Sequence, residues 1–320
     1  MKFLRSVVLA ALAGLLAMVL TQPSMARMDN DEVDITFIIY DSPGNIFWEP
    51  ALTGVKEASE MLGVNVDVQY SEGDVVKQLN IIETAMANKV DGLAFLVSVD
   101  NAFIDIIAKA RAEGFGVVLF NDDPANAAKT ETLSYVGQDF QESGYKIAKI
   151  LMERWGLKAG DHVAAPVEIP DWSYAFARHD GVQRALDEIG VTSEMFGTGV
   201  PLGPARTAIA EYLIGHPETD AIISLGGTPA AVAPQAAEEA GREGLPNGGF
   251  DINEPIMNNI MSGKTTAVID QQPYYQGFLP ILFLTNFKRY GLAPANFNTG
   301  LAVVDADNGA FVQKLAGTYR

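Results

Sequence analysis

Two hydrophobic periods alternate along this chain, and that alternation constrains its fold more than any other feature. The stretches "VDITFIIY" (33–40) and "VNVDVQY" (64–70) read as strands, the second from the strict alternation of Val64, Val66, Val68 and Tyr70. Between them Trp48, Leu52, Val55, Ala58 and Leu62 fall three or four apart, one face of a helix, which Gly63 is placed to end in a left-handed cap. The unit recurs: "DVVKQLNIIETAMANK" is helical with Val76, Leu79, Ile82 and Met86 inward, "DGLAFLV" is a buried strand, "NAFIDIIAKARAEG" a helix and "GVVLF" a strand. Short apolar strands separated by helices make a parallel sheet covered on both faces. A second series, from "DHVAAPVEI" through "AFARHDGVQRALDEIG", "DAIISL" and "NGGF" to "TAVID", predicts a second α/β domain of the same kind. The expected fold class is α/β, with two similar doubly wound parallel sheets.

Residues 1–26, "MKFLRSVVLAALAGLLAMVLTQPSMA", have Lys2 and Arg5, then an apolar stretch at 7–20, then Ser24, Met25 and Ala26, the pattern of a secretory signal peptide. The stretch is shorter than the roughly 20 residues of a membrane span, which argues against an anchor. Cleavage is expected after Ala26. It removes two positive charges, taking the formal net charge from -18 to -20, and leaves 294 of the 320 residues. That exceeds the ~250 at which a single core usually stops growing, in keeping with two domains. No second long apolar run follows, so a soluble mature protein is expected. A chain this acidic is a poor partner for nucleic acid. With no Cys it has neither disulfides nor a cysteine for lipid attachment, which fits free diffusion in a bacterial periplasm without a lipid anchor.

In open parallel sheets, ligands sit outside the carboxyl ends of the strands. The loops there are residues 41–48, 98–101, 121–123, 168–172, 226–228, 251–253 and 270–272, polar and aromatic with no dominant cationic or nucleophilic element. The three histidines, His162, His179 and His216, are not spaced to share a helix face, so no metal site is expected. There is no G-x-S-x-G turn and no P-loop pattern, and Gly197, Gly199 and Gly203 have the wrong spacing for a dinucleotide loop. No cofactor is expected. Catalysis is left to the carboxylates alone, as an acid and base pair.

Four stretches together carry a resemblance: "DSPGNIFWEPALTGVKEASEMLGV", "VVLFNDD", "GGFDINEPIMNNIMSGKTTAVIDQQPYYQG" and the R-x-x-G of Arg178 and Gly181. Over nearly its whole mature length the chain resembles the periplasmic sugar-binding proteins of ATP-binding-cassette importers, in the ribose-binding and lactose-repressor-like group (type I periplasmic binding proteins). The resemblance implies two lobes joined by a three-strand hinge, with crossings near Gln138, Gln272 and Gly300. One lobe is then 27–137 plus 272–300 and the other 138–271 plus 301–320. The repressor relatives carry a DNA-binding module where this chain has its leader, and the negative charge also speaks against a transcription factor.

The same resemblance assigns binding residues. A sugar ring has an apolar face and a rim of hydroxyls, so its cleft needs flat aromatic walls and fixed hydrogen-bond partners. Phe47 and Trp48 match the family's aromatic pair, preceded by a matching Asn45; the alternative is that Trp48 opens the helix's buried stripe and only packs. Asp251 matches the sugar-binding aspartate, against the alternative of a helix N-cap. Gln271 matches a ligand-contacting glutamine, and Arg178 an arginine that reaches the ligand. Two departures remove positive charge relative to ribose binders: Phe176 replaces a second arginine, and Asn121 with Asp122 replaces Asp then Arg. Asp41, where relatives often carry a small polar residue, and Trp172, at the end of its loop, complete the expected binding set.

Counting Asp41, Asp122 and Asp251 against Arg178, the pocket is acidic, which disfavours phosphorylated sugars and sugar acids. The expected ligand is a small neutral monosaccharide or polyol, with an amino sugar left open. The expected role is a monomeric receptor, not an enzyme, that delivers the ligand to an inner-membrane permease and in its closed form is open to recognition by a chemoreceptor. Two alternatives stand beside it: a receptor for a furanosyl signalling molecule, suggested by the small-residue helix start at Pro229, Ala230 and Ala231, and a carboxylate-dependent glycoside-processing enzyme.

Overall fold

A computed structural model describes residues 32–97, 99, 101–122 and 131–320; the leader at 1–26, the first residues of the expected first lobe (27–31) and loop positions Ser98 and Asp123 lie outside the described residues. In chain order, β1 (Asp34–Ile39), α1 (Glu49–Leu62), β2 (Asn65–Tyr70), α2 (Val75–Ala87), β3 (Gly92–Phe95), α3 (Ile104–Ala112), β4 (Gly116–Asn121) and β5 (Ser134–Gly137) build one sheet. The chain then makes α4 (Phe140–Trp155), β6 (His162–Val167), α5 (Ser173–Asp187), β7 (Thr192–Gly197), α6 (Leu202–Gly215), β8 (Thr219–Ser224), α7 (Gly227–Glu239), β9 (Asn247–Phe250), α8 (Glu254–Met261) and β10 (Ala267–Asp270). It ends with α9 (Pro273–Tyr290), β11 (Phe297–Asn298), β12 (Ala302–Asp305) and α10 (Ala306–Gln313).

The sheet orders are β11-β5-β4-β3-β1-β2 and β12-β10-β9-β8-β6-β7, parallel throughout except for β12 against β10. The chain therefore passes from the first sheet to the second after β5, returns after β10, and passes again between β11 and β12. Two similar α/β lobes result, as the alternating periods predict. In each sheet the order reverses beside the first strand of its half, β1 or β6, and that switch point is where loops diverge to leave a crevice.

Local sequence explains the element ends. Gly63 adopts φ +63° and its N–H bonds the Ser59 carbonyl at 2.9 Å, closing α1 with the expected left-handed cap. Asp74 caps α2 by accepting from the N–H groups of Val76 and Lys77. The inward face of α2 is Gln78, Ile82, Ala85 and Met86. Val76, expected inward, is 65 % exposed, because it lies two residues from Gln78 and nine from Ala85, on the opposite side of the helix from the buried face, while its neighbour Val75 packs on the core.

Each lobe presses two helices together through glycine. In the first lobe, a Cβ on Gly277 of α9 would lie 1.9 Å from the Ala51 carbonyl oxygen of α1. In the second, a Cβ on Gly181 of α5 would lie 2.0 Å from the Gln141 carbonyl oxygen of α4. An alanine at either place forces the backbones apart, and overpacking of this kind costs about 1–3 kcal/mol. The glycine of the R-x-x-G pair thus sets how close α5 lies to α4, and so where Arg178, one turn earlier, is held.

Candidate ligand-binding cleft

The strand ends of the first lobe carry amides and the carboxylates Asp41 and Asp122 over an aromatic floor. Asn45 organises the loop after β1: its carbonyl accepts from Trp48 N–H at 3.1 Å, its side-chain oxygen from Phe47 N–H at 3.0 Å, and its amide donates to Asp41. The result is a 3-10 turn over Ile46–Trp48 that leads into α1. Trp48 is 5 % exposed, with its ring edge-on to Phe120 at 6.0 Å, and Phe120 stacks on Phe37 at 4.3 Å. Packing into the core is therefore what holds Trp48, while Phe47, half-buried, meets it edge to face at 4.9 Å.

Asn121 ends β4 at φ +60°, a conformation that asparagine tolerates better than most residues. Its carbonyl accepts from the Tyr135 hydroxyl at 2.9 Å, and its amide donates to Gln276 at 2.9 Å and to Gln271 at 3.4 Å. Asp122 reaches across the crevice to the second lobe, where the Ser173 hydroxyl at the start of α5 donates to it at 2.5 Å.

The second lobe's strand ends hold a buried charge. Arg178 is 1 % exposed. Its Nε and Nη2 donate to Gln138 Oε1 at 3.0 and 2.7 Å, its Nη1 donates to the Leu225 carbonyl at 2.6 Å, and Nη2 lies 3.8 Å from Asp251 Oδ1. The guanidinium also rests on three rings, Phe250 at 4.1 Å, Tyr174 at 4.9 Å and Phe140 at 5.2 Å. Asp251 takes φ +72° and accepts from Gln271 Nε2 at 2.6 Å. It does not cap α8; Asn253 does, accepting from Ile256 N–H at 2.9 Å.

Glu168, Tyr174 and Ser173 were not singled out by sequence reasoning, although Glu168 lies in a strand-end loop that the topology flags. The Tyr174 hydroxyl and the Thr228 N–H at the start of α7 both donate to the Glu168 carboxylate, at 2.6 and 2.8 Å. Burial, with Glu168 beside it, pushes the Tyr174 hydroxyl well above its usual pKa, so it stays a neutral donor. Trp172 and Phe176 are 39 % and 56 % exposed, apolar surface at the start of α5.

The three crossings are tied together by amides. Gln138 Nε2 donates to the Gly300 carbonyl at 3.3 Å while its oxygen holds Arg178. Gln272, at φ +52°, donates to the Thr299 carbonyl at 2.5 Å, and Gln276 Nε2 bonds both Gln271 O and Thr299 Oγ1 at 3.2 Å. Expected residues Asn121, Arg178, Asp251, Gln271 and Gln138 thus form one connected polar network, and Asp122 touches the second lobe through Ser173. Asp41, Asn45 and Phe47 form a separate local cluster in the loop after β1.

A model of the periplasmic binding protein domain matches residues 35–287. A xylose/arabinose-binding protein of Sulfolobus acidocaldarius is 27 % identical over 280 residues, covering 82 % of this chain and 69 % of that protein. A D-apiose import binding protein of Actinobacillus succinogenes is 26 % identical, covering 82 % and 83 %. Among solved structures, a carbohydrate transporter protein of Acidothermus cellulolyticus in complex with myo-inositol is similar at a TM-score of 0.79, with 29 % identity over 89 % of this chain and 98 % of that one.

Proposed function

The chain belongs to the periplasmic binding protein domain family, and from that premise we propose that it captures a small neutral monosaccharide or polyol between its two lobes and delivers it to a membrane permease. The family is one of sugar-binding receptors, not enzymes, which removes the glycoside-processing alternative. The observation that carries the reading is the relay across the crevice. Asn121 from the first lobe and Asp251 from the second both bond Gln271, which sits beside a crossing. A ligand that bonds Asn121 and Asp251 at once favours the conformation in which they face each other, and only such differential contact drives closure.

The chemistry of these groups favours a neutral ligand. Of the strand-end carboxylates Asp41, Asp122, Glu168 and Asp251, only Asp251 lies beside the Arg178 guanidinium, whose N–H groups are already given to Gln138 and Leu225. An anionic sugar would be desolvated beside these carboxylates, while Arg178, the cation among these described residues, already has its partners. A neutral sugar instead donates hydroxyls to Asp251, accepts from Asn121, and lays a C–H face on Phe47, with Trp48 behind it and Trp172 and Phe176 on the far side. The same proposal places the lobe boundaries at Gln138, Gln272 and Gly300, and takes the mature protein as a monomer, released into the periplasm after loss of residues 1–26. Its closed form is the state presented to the permease or to a chemoreceptor.

A thermal-shift screen with D-xylose, L-arabinose, D-apiose, D-allose, myo-inositol and a sugar phosphate tests the reading. A ligand at 100 times its dissociation constant stabilises the fold by ~2.7 kcal/mol, enough to raise the midpoint by a few degrees. The expected result is a shift with at least one neutral compound, recovered intact by mass spectrometry. A shift with the sugar phosphate alone, or an altered compound on release, overturns it.

A further inference from the structure

Two positively polarised elements at the second lobe's strand ends are occupied from within the chain. One is Arg178, whose N–H groups are given to Gln138 and Leu225. The other is the start of α7, a 13-residue helix whose aligned peptide dipoles make its first turn attractive to anions. There the Thr228 N–H donates to Glu168 Oε1 at 2.8 Å, and Pro229, next in the turn, has no N–H to offer. The Tyr174 hydroxyl of α5 donates to the other carboxylate oxygen at 2.6 Å, so donors from two helices converge on one carboxylate, in a residue only 8 % exposed. Gly226 makes the room: a Cβ there would lie 2.0 Å from Glu168 Oε2. At φ -149° its backbone is extended and open to any residue, so glycine serves this position by its size. The next residue, Gly227, lies against Asp251, whose Oδ2 would be 3.3 Å from a Cβ placed on it. Glu168 thus stands across a single turn of backbone from the aspartate expected to bind the sugar.

We propose that Glu168 sets the charge class of the ligand: it serves as a built-in anion in the cleft, filling the donor pair of Tyr174 and Thr228, so that a carboxylate or phosphate group finds no receptor there. This deepens the receptor reading and rests on it. The physical basis is competition between an internal and a free anion. The Glu168 carboxylate is delivered to its donors by folding, whereas a free anion must give up its hydration and its translational freedom to take the same place. Once seated, Glu168 also repels a second anion in a partly desolvated site, where charges are screened far less than in water. A neutral hydroxyl meets neither obstacle, and Asp251 stands ready to accept from it.

Glu168→Ala tests this by vacating the place: it removes Cγ and the carboxylate, which acetate replaces atom for atom, and leaves both donors. At constant ionic strength, with chloride as the reference salt, acetate is expected to raise the unfolding midpoint of Glu168→Ala saturably. Inorganic phosphate is expected to do so at a concentration at least about tenfold below any effect on the unsubstituted protein, and to displace the bound neutral sugar from Glu168→Ala alone. Glu153→Gln, which removes an exposed carboxylate of α4, is expected to leave both anion responses unchanged. If Glu168→Ala does not fold, Glu168→Gln decides, since it keeps the volume and loses only the charge: phosphate is expected to act at a concentration at least about threefold below that for the unsubstituted protein. The proposal is overturned if neither anion stabilises Glu168→Ala beyond chloride, if the unsubstituted protein responds as strongly as the variant that folds, or if phosphate binds Glu168→Ala without displacing the sugar. If none of the sugars above binds, the receptor reading fails, while the acetate and phosphate titrations still judge whether Glu168 fills an anion's place.

Discussion

The two lobes share an architecture but present different chemistry to the crevice. The second lobe commits a full positive charge to its interior, Arg178, bonded to Gln138 and Leu225, stacked on three rings and set beside Asp251. The first lobe offers amides, Asn121 bonded to Gln276 and Asn45 folded back on its own loop, together with a carboxylate, Asp122, held by Ser173 across the crevice. A buried, fully partnered guanidinium cannot move without orphaning its acceptors, so the second lobe's acceptor is pre-organised before any ligand arrives. The amides of the first lobe cost less to rearrange. On the proposed binding mode, affinity is thus anchored on one side, and adjustment to the ligand falls to the other.

Breaking the anchor is expected to have the largest effect. Arg178→Met leaves Gln138 Oε1 and the Leu225 carbonyl buried without their donor and Asp251 without its cation, and is expected to cost about 3–5 kcal/mol of folding stability, read by urea denaturation. Next is Asp251→Ala, expected to weaken binding by about 2–4 kcal/mol in calorimetric titration, because ligand hydroxyls are buried without an acceptor. Because Asp251 stands at φ +72°, alanine there also lowers stability by ~1 kcal/mol, and Asp251→Asn, which tolerates that backbone, separates the two effects. On the first lobe Phe47→Ala is expected to cost about 1–3 kcal/mol of affinity through lost stacking, with little change in the unfolding midpoint. Were Phe47→Ala to cost more affinity than Asp251→Ala, the anchor would lie on the first lobe and the comparison would reverse.

The sequence announced the layers of the fold but not all of their members. Strands with continuous apolar runs, such as "GVVLF" in β4, declare themselves because both faces of the sheet are covered. β7, "TSEMFG", escaped because it is an edge strand whose residues are half or fully exposed, so burial imposes no apolar pattern on it. Of the crossings, β11 is two exposed residues long, and it is held to β5 by backbone pairing and by polar side chains, Asn296 accepting from Tyr135 N–H and Ser134 donating to the Ala295 carbonyl, so no apolar pattern marks it. Similarity between the halves is also masked by how each fills equivalent space. In the second lobe Phe196 of β7, Tyr212 of α6 and His216 stack at 4.0 Å spacings. In the first lobe β2 and α2 place Gln69 and Ala85 at the corresponding points, and a groove of about 600 Å³ stays open.

The cleft was readable in part. Asp251, Gln271 and Asn121 stand next to apolar runs, so strand ends identify them without any knowledge of their neighbours. The cage around Arg178 was not readable, since Phe140, Tyr174 and Phe250 arrive from three elements and Gln138 from a crossing 40 residues away. The buried stripe of α1 likewise gave no sign that Trp48 would lie against Phe120.

The central claim is that one ligand is held by both lobes at once, and small-angle scattering of the mature protein tests it most directly. Saturation with the neutral sugar or polyol that binds is expected to reduce the radius of gyration, and Asp251→Ala at the same ligand concentration to reduce it less. A scattering curve that does not change while calorimetry reports tight, saturable binding would contradict the account.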